Sequence, residues 1–521
     1  MSGDTLQILI AMVSYMVIVI GIGLYFAKRA NESSENYFLG GRSLGPLVTA
    51  MSAEASDMSG WLLMGLPGVA YWYGLSDAFW TAIGLAAGTY LNWLIVAKRL
   101  HNYSVAANDS ITIPDFFSNR FKEEKKIIMT ISAVFILVFF TVYAASCFVT
   151  VGKLFNVLFG FKYQYMMVVG AAFVLFYTYL GGFLAESASD TMQAIVMIFA
   201  LVTVLTIATY AAGGMSVVIE NSRLIPGFFE FFGIASPATV DGVQQLVNGV
   251  AQFNEAGKYG LYTILSTLAW GLGYFGMPQV LLRFMAIRDP NELKQSRRIA
   301  ALWVCISLSA AVFIGIIGRT LFPTELLTYS DSESIFVVLS SNLLPAFFAG
   351  VVMAGILAAT ISSSDSYLLI AASAFSKNIY QHLIKKDATD KQVMNVSRII
   401  LVVITILGII IALDEDSVIF TIVSFAWAGF GATFGPITLF SLFWKRTTRQ
   451  GAIAGLLSGG ITVFVWKLIL RPIGGIFGVY ELLPAFIVSS IFIYIVSKNT
   501  EEPSEEILKE FEMVKKQTKM P

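Results

Sequence analysis

Histidine and charge are what this chain is short of. It has two histidines in 521 residues, His101 and His382. Neither belongs to an HExxH pattern, so a zinc hydrolase of that type is excluded. No nucleophile is paired with a base as a group-transfer enzyme would need, and the chain reads as a non-enzyme. Cysteine is as sparse: Cys147 and Cys305 both lie in apolar runs and read as small core residues. Charged residues make up only 13%, about half the share in soluble proteins. The 34 basic and 34 acidic residues cancel, which leaves no basic footprint for nucleic acid. The start, MSGDTLQ, has no basic n-region or cleavage site, so the first apolar run reads as a retained helix.

What is abundant is apolar sequence. Hydrophobic residues are 56% of the chain, mean hydropathy is +0.74, and many runs approach the roughly 20 residues that cross a bilayer. The fold class is therefore an all-α polytopic membrane protein. Thirteen spans are predicted, near 7–27, 44–66, 74–97, 127–152, 164–181, 187–212, 258–282, 299–322, 338–376, 395–413, 418–443, 451–470 and 475–497. The ninth is longer than a bilayer requires and is expected to include an extra-membrane helix before its true span. With each Lys and Arg assigned to its nearer loop, the loops after odd spans hold 22 and those after even spans 7. The positive-inside rule then puts the N-terminus outside and the C-terminus inside. The longest outer loop, 213–257, contains PATVDGVQQLVNGVAQFNE, read as a short surface helix. The charged tail 498–521 carries a short amphipathic helix pattern.

Three spans are not uniformly greasy. Span 2 reads SAEASDMSG, span 7 reads WGLGYFGMP, and span 9 reads TISSSDS. Gly and Pro weaken or remove helical hydrogen bonds, and in lipid a broken helix survives only where it lines a cavity. Spans 2 and 7 are five apart, so they open two five-helix repeats, 44–212 and 258–443, inverted because five is odd. Interrupted helices at matching positions of inverted repeats point to the binding site of a secondary transporter. In span 9, Ser362, Asp365 and Ser366 share one helical face and offer hard oxygen ligands for a small cation. Glu186 and Asp190 share a face at the start of span 6.

The stretches YFLGGRSLGPLVTAMSAEASDMSGWLLMGLPG, ITIPDFFSNRF, YTYLGGFLAESASDTMQA, LAWGLGYFGMPQVLLRFMAI, ILAATISSSDS and FAWAGFGATFGP resemble the sodium:solute symporter family, and most of all its bacterial sodium/proline branch, over about residues 5–495. The resemblance implies a LeuT-type fold of two inverted five-helix repeats, with one helix before (1–43, with its cytoplasmic loop) and two after (444–497). It implies sodium-driven uptake of L-proline by alternating access in the bacterial cytoplasmic membrane, with Na+ and the small solute as ligands, the lipid bilayer as surroundings, and a chain that works as a monomer. Carried over by position, sodium would meet the carbonyls of Ala55, Met58 and Ala359 and the hydroxyls of Ser362 and Ser363. The solute pocket would hold Ser59, Gly60, Trp61, Tyr143, Trp270, Tyr274 and Pro278. The last three are spaced i, i+4, i+8 and so expected to face one way. Asp57 and Arg42 match residues tied to coupling, and Asp190 an aspartate linked to a second cation in some members.

The chain departs from that branch by adding carboxylates at Glu54, Glu186 and Asp365, and by reading Gly276-Met277-Pro278-Gln279 where the branch has GQPH. The topology predicts that Glu54, Glu186, Asp190 and Asp365, with Ser366, form one acidic cluster below the sodium site. Glu54 is expected to partner Asp365. Buried charges cost about 2.5–3.5 kcal/mol each even on the lenient insertion scale, so such a cluster would hold a second cation, a proton or an amine of the solute. Another small amino acid or an amine-bearing solute is the alternative cargo, with sodium or proton coupling. A membrane solute sensor is the non-transporter alternative. A channel would favour repeated filter loops over paired broken helices.

Overall fold

The computed structural model describes residues 3–30 and 33–519, without the side chains of 26–30, 34, 180–181 and 519. Its apolar runs are helical because a backbone removed from water must satisfy its own hydrogen bonds. The first half contains α1 (Gly3–Ala30), α2 (Pro46–Asp57), α3 (Leu66–Tyr73), α4 (Leu75–Ala106), α5 (Ile113–Arg120), α6 (Ile127–Phe159) and α7 (Tyr163–Ala211). The second contains α8 (Leu261–Leu268), α9 (Pro278–Ala286), α10 (Leu293–Leu321), α11 (Ile335–Leu343), α12 (Ala346–Ile384), α13 (Asp390–Ile411) and α14 (Ile419–Phe443). Then follow α15 (Arg449–Ile473), α16 (Leu482–Lys498) and α17 (Glu505–Lys519).

Among the described residues nine helices are long and apolar enough to cross a membrane. The other four predicted spans fall on the broken pair α2 and α3, the first part of α7, the broken pair α8 and α9, and the 17-residue α16. In α7 the joint between two predicted spans is one residue, Gly182, at φ 57° and ψ −171°. Only glycine adopts that conformation without strain, and a Cβ there would lie 2.7 Å from the Tyr37 ring. The long ninth run divides as expected, with α11 ending before Pro345 and α12 beginning after it.

Helices α12 and α14 lie at the centre, with 78% and 83% of their apolar windows buried against 28% for α1 and α15. Helix α12 packs on α6, α7 and α1, while α14 packs on α6, α15 and α16. The broken helices pack against α4 and α10. Glu333, fully buried just before α11, fixes the start of α14: it accepts from Ile419 N and Phe420 N, each at 2.9 Å, and from Lys153 Nζ of α6 at 2.9 Å.

Two expectations are corrected here. The segment 237–255 forms small antiparallel hairpins, with Thr239–Val240 on Val243–Gln244 and Leu246–Val247 on Val250–Ala251. Their turns are Asp241-Gly242 and Asn248-Gly249, all four residues at positive φ, the chemistry of a two-residue hairpin rather than a helix. Cys147 is buried, but Cys305 is exposed on the face of α10. The tail helix is present as α17. It is held by ion pairs of Lys122 with Glu506 and Glu510 and by Phe511, which is buried against Arg99 and Arg120.

Candidate functional site

Helix α2 stops because Met58 leaves the helical region at φ −86°, ψ 75°. Its N–H still reaches Glu54 O (2.9 Å), but its own carbonyl is turned out of the ladder. Ser59 N donates to Asp57 O in a tight turn (3.1 Å), and the chain resumes through a wide turn at Trp61–Gly65. Gly60 is obligatory for packing: a Cβ there would stand 2.2 Å from Thr150 Oγ1 of α6. The second break is the tight 3-10 segment Ala269–Phe275, followed by extended Met277, after which Pro278 opens α9. Both breaks are buried.

Asp57 joins the two breaks. Its Oδ2 accepts from Tyr274 OH at 2.8 Å and its Oδ1 from Gln279 Nε2 at 3.3 Å. Its backbone carbonyl accepts from Trp61 Nε1 at 3.2 Å and from Tyr143 OH at 3.5 Å. A carboxylate held this way fixes the relative position of two backbone gaps, and among the described residues no basic side chain pairs with it.

Two residues back, about half a turn, α2 meets α12 through oxygen. Ser362 Oγ donates to Ala55 O at 2.8 Å and to Ala359 O at 3.2 Å; Ser363 Oγ donates to Ala55 O at 3.2 Å. The predicted sodium ligands Ala55, Ala359, Ser362 and Ser363 are thus brought together, fully buried, with Met58 at the adjoining break. Two hydroxyls and two carbonyls are hard neutral donors suited to Na+; a cation would take the carbonyl lone pairs that now accept the serine protons. Ser364 faces away and bonds back to Thr360 O.

Beside Asp57 lies an aromatic cage. The rings of Trp61 and Trp270 are 6.5 Å apart, and Tyr143 is tilted against Tyr367 at 4.2 Å. Trp270 O accepts from Trp427 Nε1 at 2.8 Å, and Tyr274 meets Trp427 edge-on at 5.0 Å. Asn92 Nδ2 donates to Tyr274 O at 2.9 Å, capping a carbonyl that the break frees. Ser59 is beside the Tyr143 hydroxyl. Pro278 is not part of this cage. The 3-10 turn and Met277 reset the helical phase, so Pro278 faces a separate apolar crevice with Phe38, Ile113 and Ile370. Sequence reasoning missed Trp427, Tyr367 and Asn92. Trp427 sits in the FAWAGFG motif, a signal that was there to use.

The acidic cluster exists, but with three carboxylates and an arginine. Arg283 of α9, fully buried, donates to Glu186, to Asp190 Oδ2 (3.3 Å), to Ser52 Oγ (3.0 Å) and to Ser366 Oγ (2.9 Å). Ser52 Oγ donates to Asp190 Oδ2 at 2.6 Å, and Ser366 also donates to Glu186. Asp365 Oδ1 accepts from Ser366 N at 2.7 Å and lies within the electrostatic reach of Glu186 and Asp190. Glu186 Oε2, Asp190 Oδ1 and Asp365 Oδ2 are buried without a hydrogen-bond partner. Glu54 is elsewhere. It is two residues, about 200° of helix, from Ser52, so it faces away from Asp190 and Asp365. Its Oε1 accepts from Trp93 Nε1 at 3.3 Å, and its Oε2 has no partner. The expected Glu54–Asp365 partnership is therefore corrected. Arg283 was missed because it sits at the edge of an apolar run and was counted with the following loop. The unwound 269–277 moves the helix onward, and the arginine falls inside.

Arg42 closes the end of the molecule that carries α5. Its guanidinium donates to Asp109 Oδ1 (2.9 Å), Ser104 Oγ (3.1 Å), Ser110 O (2.7 Å) and Met285 O (2.6 Å), tying the ends of α4 and α9 together. Burial lowers its proton affinity and Asp109 raises it.

The model of the sodium:solute symporter family matches residues 37–459. Sodium/proline symporters of Staphylococcus aureus, among them those of strains USA300 and COL, are 39% identical over 503 residues, covering 95% of this chain and 93% of theirs. Among solved structures, a Na+-coupled sialic acid symporter in a substrate-bound, outward-open state superposes with a TM-score of 0.77 at 17% identity, over 96% of this chain and 99% of that one. Mhp1, a nucleobase-cation-symport-1 family transporter, follows at 0.54 and 13% identity, over 91% and 98%. These share the LeuT-type fold that the family resemblance implies.

Proposed function

From the chain's membership of the sodium:solute symporter family, which the match over residues 37–459 and the 39% identical relatives establish, we propose that it carries L-proline into the cell by alternating access. Sodium is the coupling ion, and the protein is a multi-pass protein of the bacterial plasma membrane. The observation that supports the proposal is that one short helix end touches both α12 and the aromatic cage. Ala55 meets Ser362 and Ser363 of α12, while Asp57 to Trp61, two to six residues on, faces the aromatic cage. Na+ held by Ala55, Met58, Ala359, Ser362 and Ser363 draws α2 onto α12 and so fixes the turn at Ser59–Trp61. The freed N–H groups of that turn then receive the solute carboxylate, and the rings of Trp61, Tyr143, Trp270 and Tyr274 enclose the pyrrolidine. Binding one ligand preorganises the site of the other, and this is coupling in its reciprocal sense.

The inside end is the one that holds Arg42, α5 and α17, with thirteen spans, the N-terminus outside and the repeats 44–212 and 258–443 moving against each other; the bias of 22 basic residues to 7 supports this orientation. Counting Arg283 as buried lowers the inner number by one and leaves the bias intact. The chain acts as a monomer. The three carboxylates of Glu186, Asp190 and Asp365 against one guanidinium leave a formal charge of −2, so the cluster also takes up a proton or a second cation, with Ser366 at hand.

The test is uptake of labelled L-proline in proteoliposomes with and without an inward Na+ gradient, with other small amino acids and amines as competitors. Ser362→Ala and Ser363→Ala should each raise the half-saturating Na+ concentration by roughly tenfold or more, as expected for one lost ligand to a charge. Equal uptake without sodium would sink the reading.

A further inference from the structure

Helices α4 and α10 back the two broken helices, and a cavity of about 230 Å³ opens between them. It is lined by Phe79, Ala82 and Ala86 of α4 and by Cys305, Ser309 and Val312 of α10. Ser309 is the one polar residue of its lining. No residue of the aromatic cage or of the sodium site borders it. Ile83 and Cys305 are exposed at its mouth. The cavity therefore faces the bilayer and not the path of the solute.

The lining continues down both helices as one groove. On α4, Ala86 is followed one turn on by the exposed Tyr90. On α10, Lys294, Arg297, Arg298, Ala301 and Cys305 recur at helical spacing and share a face. The two stripes meet where the Arg297 guanidinium lies over the Tyr90 ring, 5.5 Å from its centre. This is the end of the molecule that holds Arg42, since Arg288 N, just before α10, donates to Leu44 O at 3.0 Å. Three cations gather here without acids to match them. Glu292 is taken by Arg288 at 2.7 Å, and among the described residues none of Lys294, Arg297 and Arg298 forms an ion pair. Lys294 and Arg298 are exposed.

We infer that the groove between α4 and α10 seats one anionic phospholipid. Its phosphate lies among Lys294, Arg297 and Arg298, and one acyl chain runs past Ala301 into the cavity. Charge complementarity selects this occupant: a neutral lipid leaves three cations unanswered, and a soluble anion leaves the cavity unfilled. The length agrees. Cys305, at the near rim, is about 12 Å along the helix from Arg297, inside the ~15 Å of hydrocarbon that one leaflet offers. The leaflet is the inner one on the orientation proposed above; the preference for an anionic headgroup depends neither on that orientation nor on proline. Helix α4 packs on the 269–275 break and α10 on α2 and α3, so the bound chain becomes part of the wall behind both broken helices.

Delipidated full-length protein in a neutral detergent is titrated with phosphatidylglycerol or with phosphatidylcholine of the same chains. Native mass spectrometry gives the affinity of the first bound lipid. Alkylation of Cys305 by N-ethylmaleimide reports on the groove, with Cys147 buried. Phosphatidylglycerol should bind roughly tenfold more tightly or better and slow the alkylation severalfold. Phosphatidylcholine at the same mole fraction should leave the rate unchanged. Arg297→Gln and Arg298→Gln should each lower phosphatidylglycerol affinity about fivefold, the factor for one basic residue at an anionic surface, and Arg297→Lys should keep it. Neither readout involves transport, so a failure of the proline reading leaves this test intact. Equal affinity for the two lipids, or an unchanged phosphatidylglycerol affinity in both glutamine variants, overturns the site. Tight phosphatidylglycerol binding that leaves Cys305 as reactive as in the lipid-free protein overturns the placement of the chain.

Discussion

Replacing Arg283 by methionine removes the one cation from a cluster of three buried carboxylates. The guanidinium and both carboxylates it bridges are at most 3% exposed, so water cannot take its place. Breaking one side of such a pair costs about 3–5 kcal/mol, because the surviving charge stays buried and unpaired. Here two partners survive, along with the hydroxyls of Ser52 and Ser366, which lose their donor. The upper part of that range is therefore expected for Arg283→Met. Glu186→Gln alone should cost far less, because Asp190 still holds the arginine and the formal charge of the cluster falls from −2 to −1. In the Arg283→Met/Glu186→Gln double variant one of the stranded carboxylates is gone. Its loss should fall short of the sum of the two singles by about 1–3 kcal/mol, the coupling seen between contacting residues. Reversible unfolding of the purified protein in mixed detergent micelles with increasing SDS, followed by tryptophan fluorescence, supplies all four corners of this cycle. Additivity within about 0.5 kcal/mol, or an Arg283→Met protein as stable as wild type, would refute the reasoning.

Two further outcomes follow from local geometry. Gly60→Ala drives a methyl to 2.2 Å from Thr150 Oγ1, an overpacking worth about 1–3 kcal/mol. Proline binding should be lost, and Thr150→Ala, which leaves only its Cβ at 2.9 Å, should restore part of it in the double variant. Asp115, in the short helix α5, is buried and accepts from Asn378 Nδ2 at 2.7 Å, with His382 at 3.6 Å. Burial pushes its carboxyl above the usual range and the charge of His382 opposes that. A group raised in the folded state contributes stability at low pH and loses it as pH climbs through the raised value. Asp115→Asn should therefore flatten the fall in thermal midpoint as pH rises above about 4, the ordinary carboxylate value, read by thermal unfolding of the solubilised protein. An unchanged pH profile would contradict this.

The places where the sequence was legible share a cause. A carboxylate, a serine run or a Gly-Pro string inside an apolar stretch needs a partner, and Asp57, Ser362, Ser363, Glu186 and Asp190 all found one. Helical phase did the rest where the helix was regular, as for the Ala55 and Ser362 faces. It failed where the helix was not. Pro278 was expected to face the same way as Trp270 and Tyr274 by counting turns across a segment that does not wind as an α-helix. Arg283 was assigned to water because the same unwinding displaces the end of the span. Glu54 was misplaced for a different reason: depth in the membrane was inferred and angle around the axis was not. The hairpins at 239–251 were overlooked because their apolar residues suggested a surface helix, although Asp-Gly and Asn-Gly already announced tight turns. The aromatic partners of Trp270 come from three separate stretches, the turn after α2, α14 and the loop before α16, and no local pattern joins them.

The joint at Gly182 has a mechanical meaning. Most neighbouring helices here are joined by several residues of chain that can absorb movement as slack. Between the two arms of α7 there is none, so the second arm cannot be displaced without a torque reaching the first through a single pair of dihedral angles. That arm carries Glu186 and Asp190 within its first three turns, and both are tethered to Arg283 on the far broken helix. A tilt of α9 during the transport cycle is thus geared directly into the other half of the molecule. The gear would slip if even one flexible residue were inserted beside Gly182.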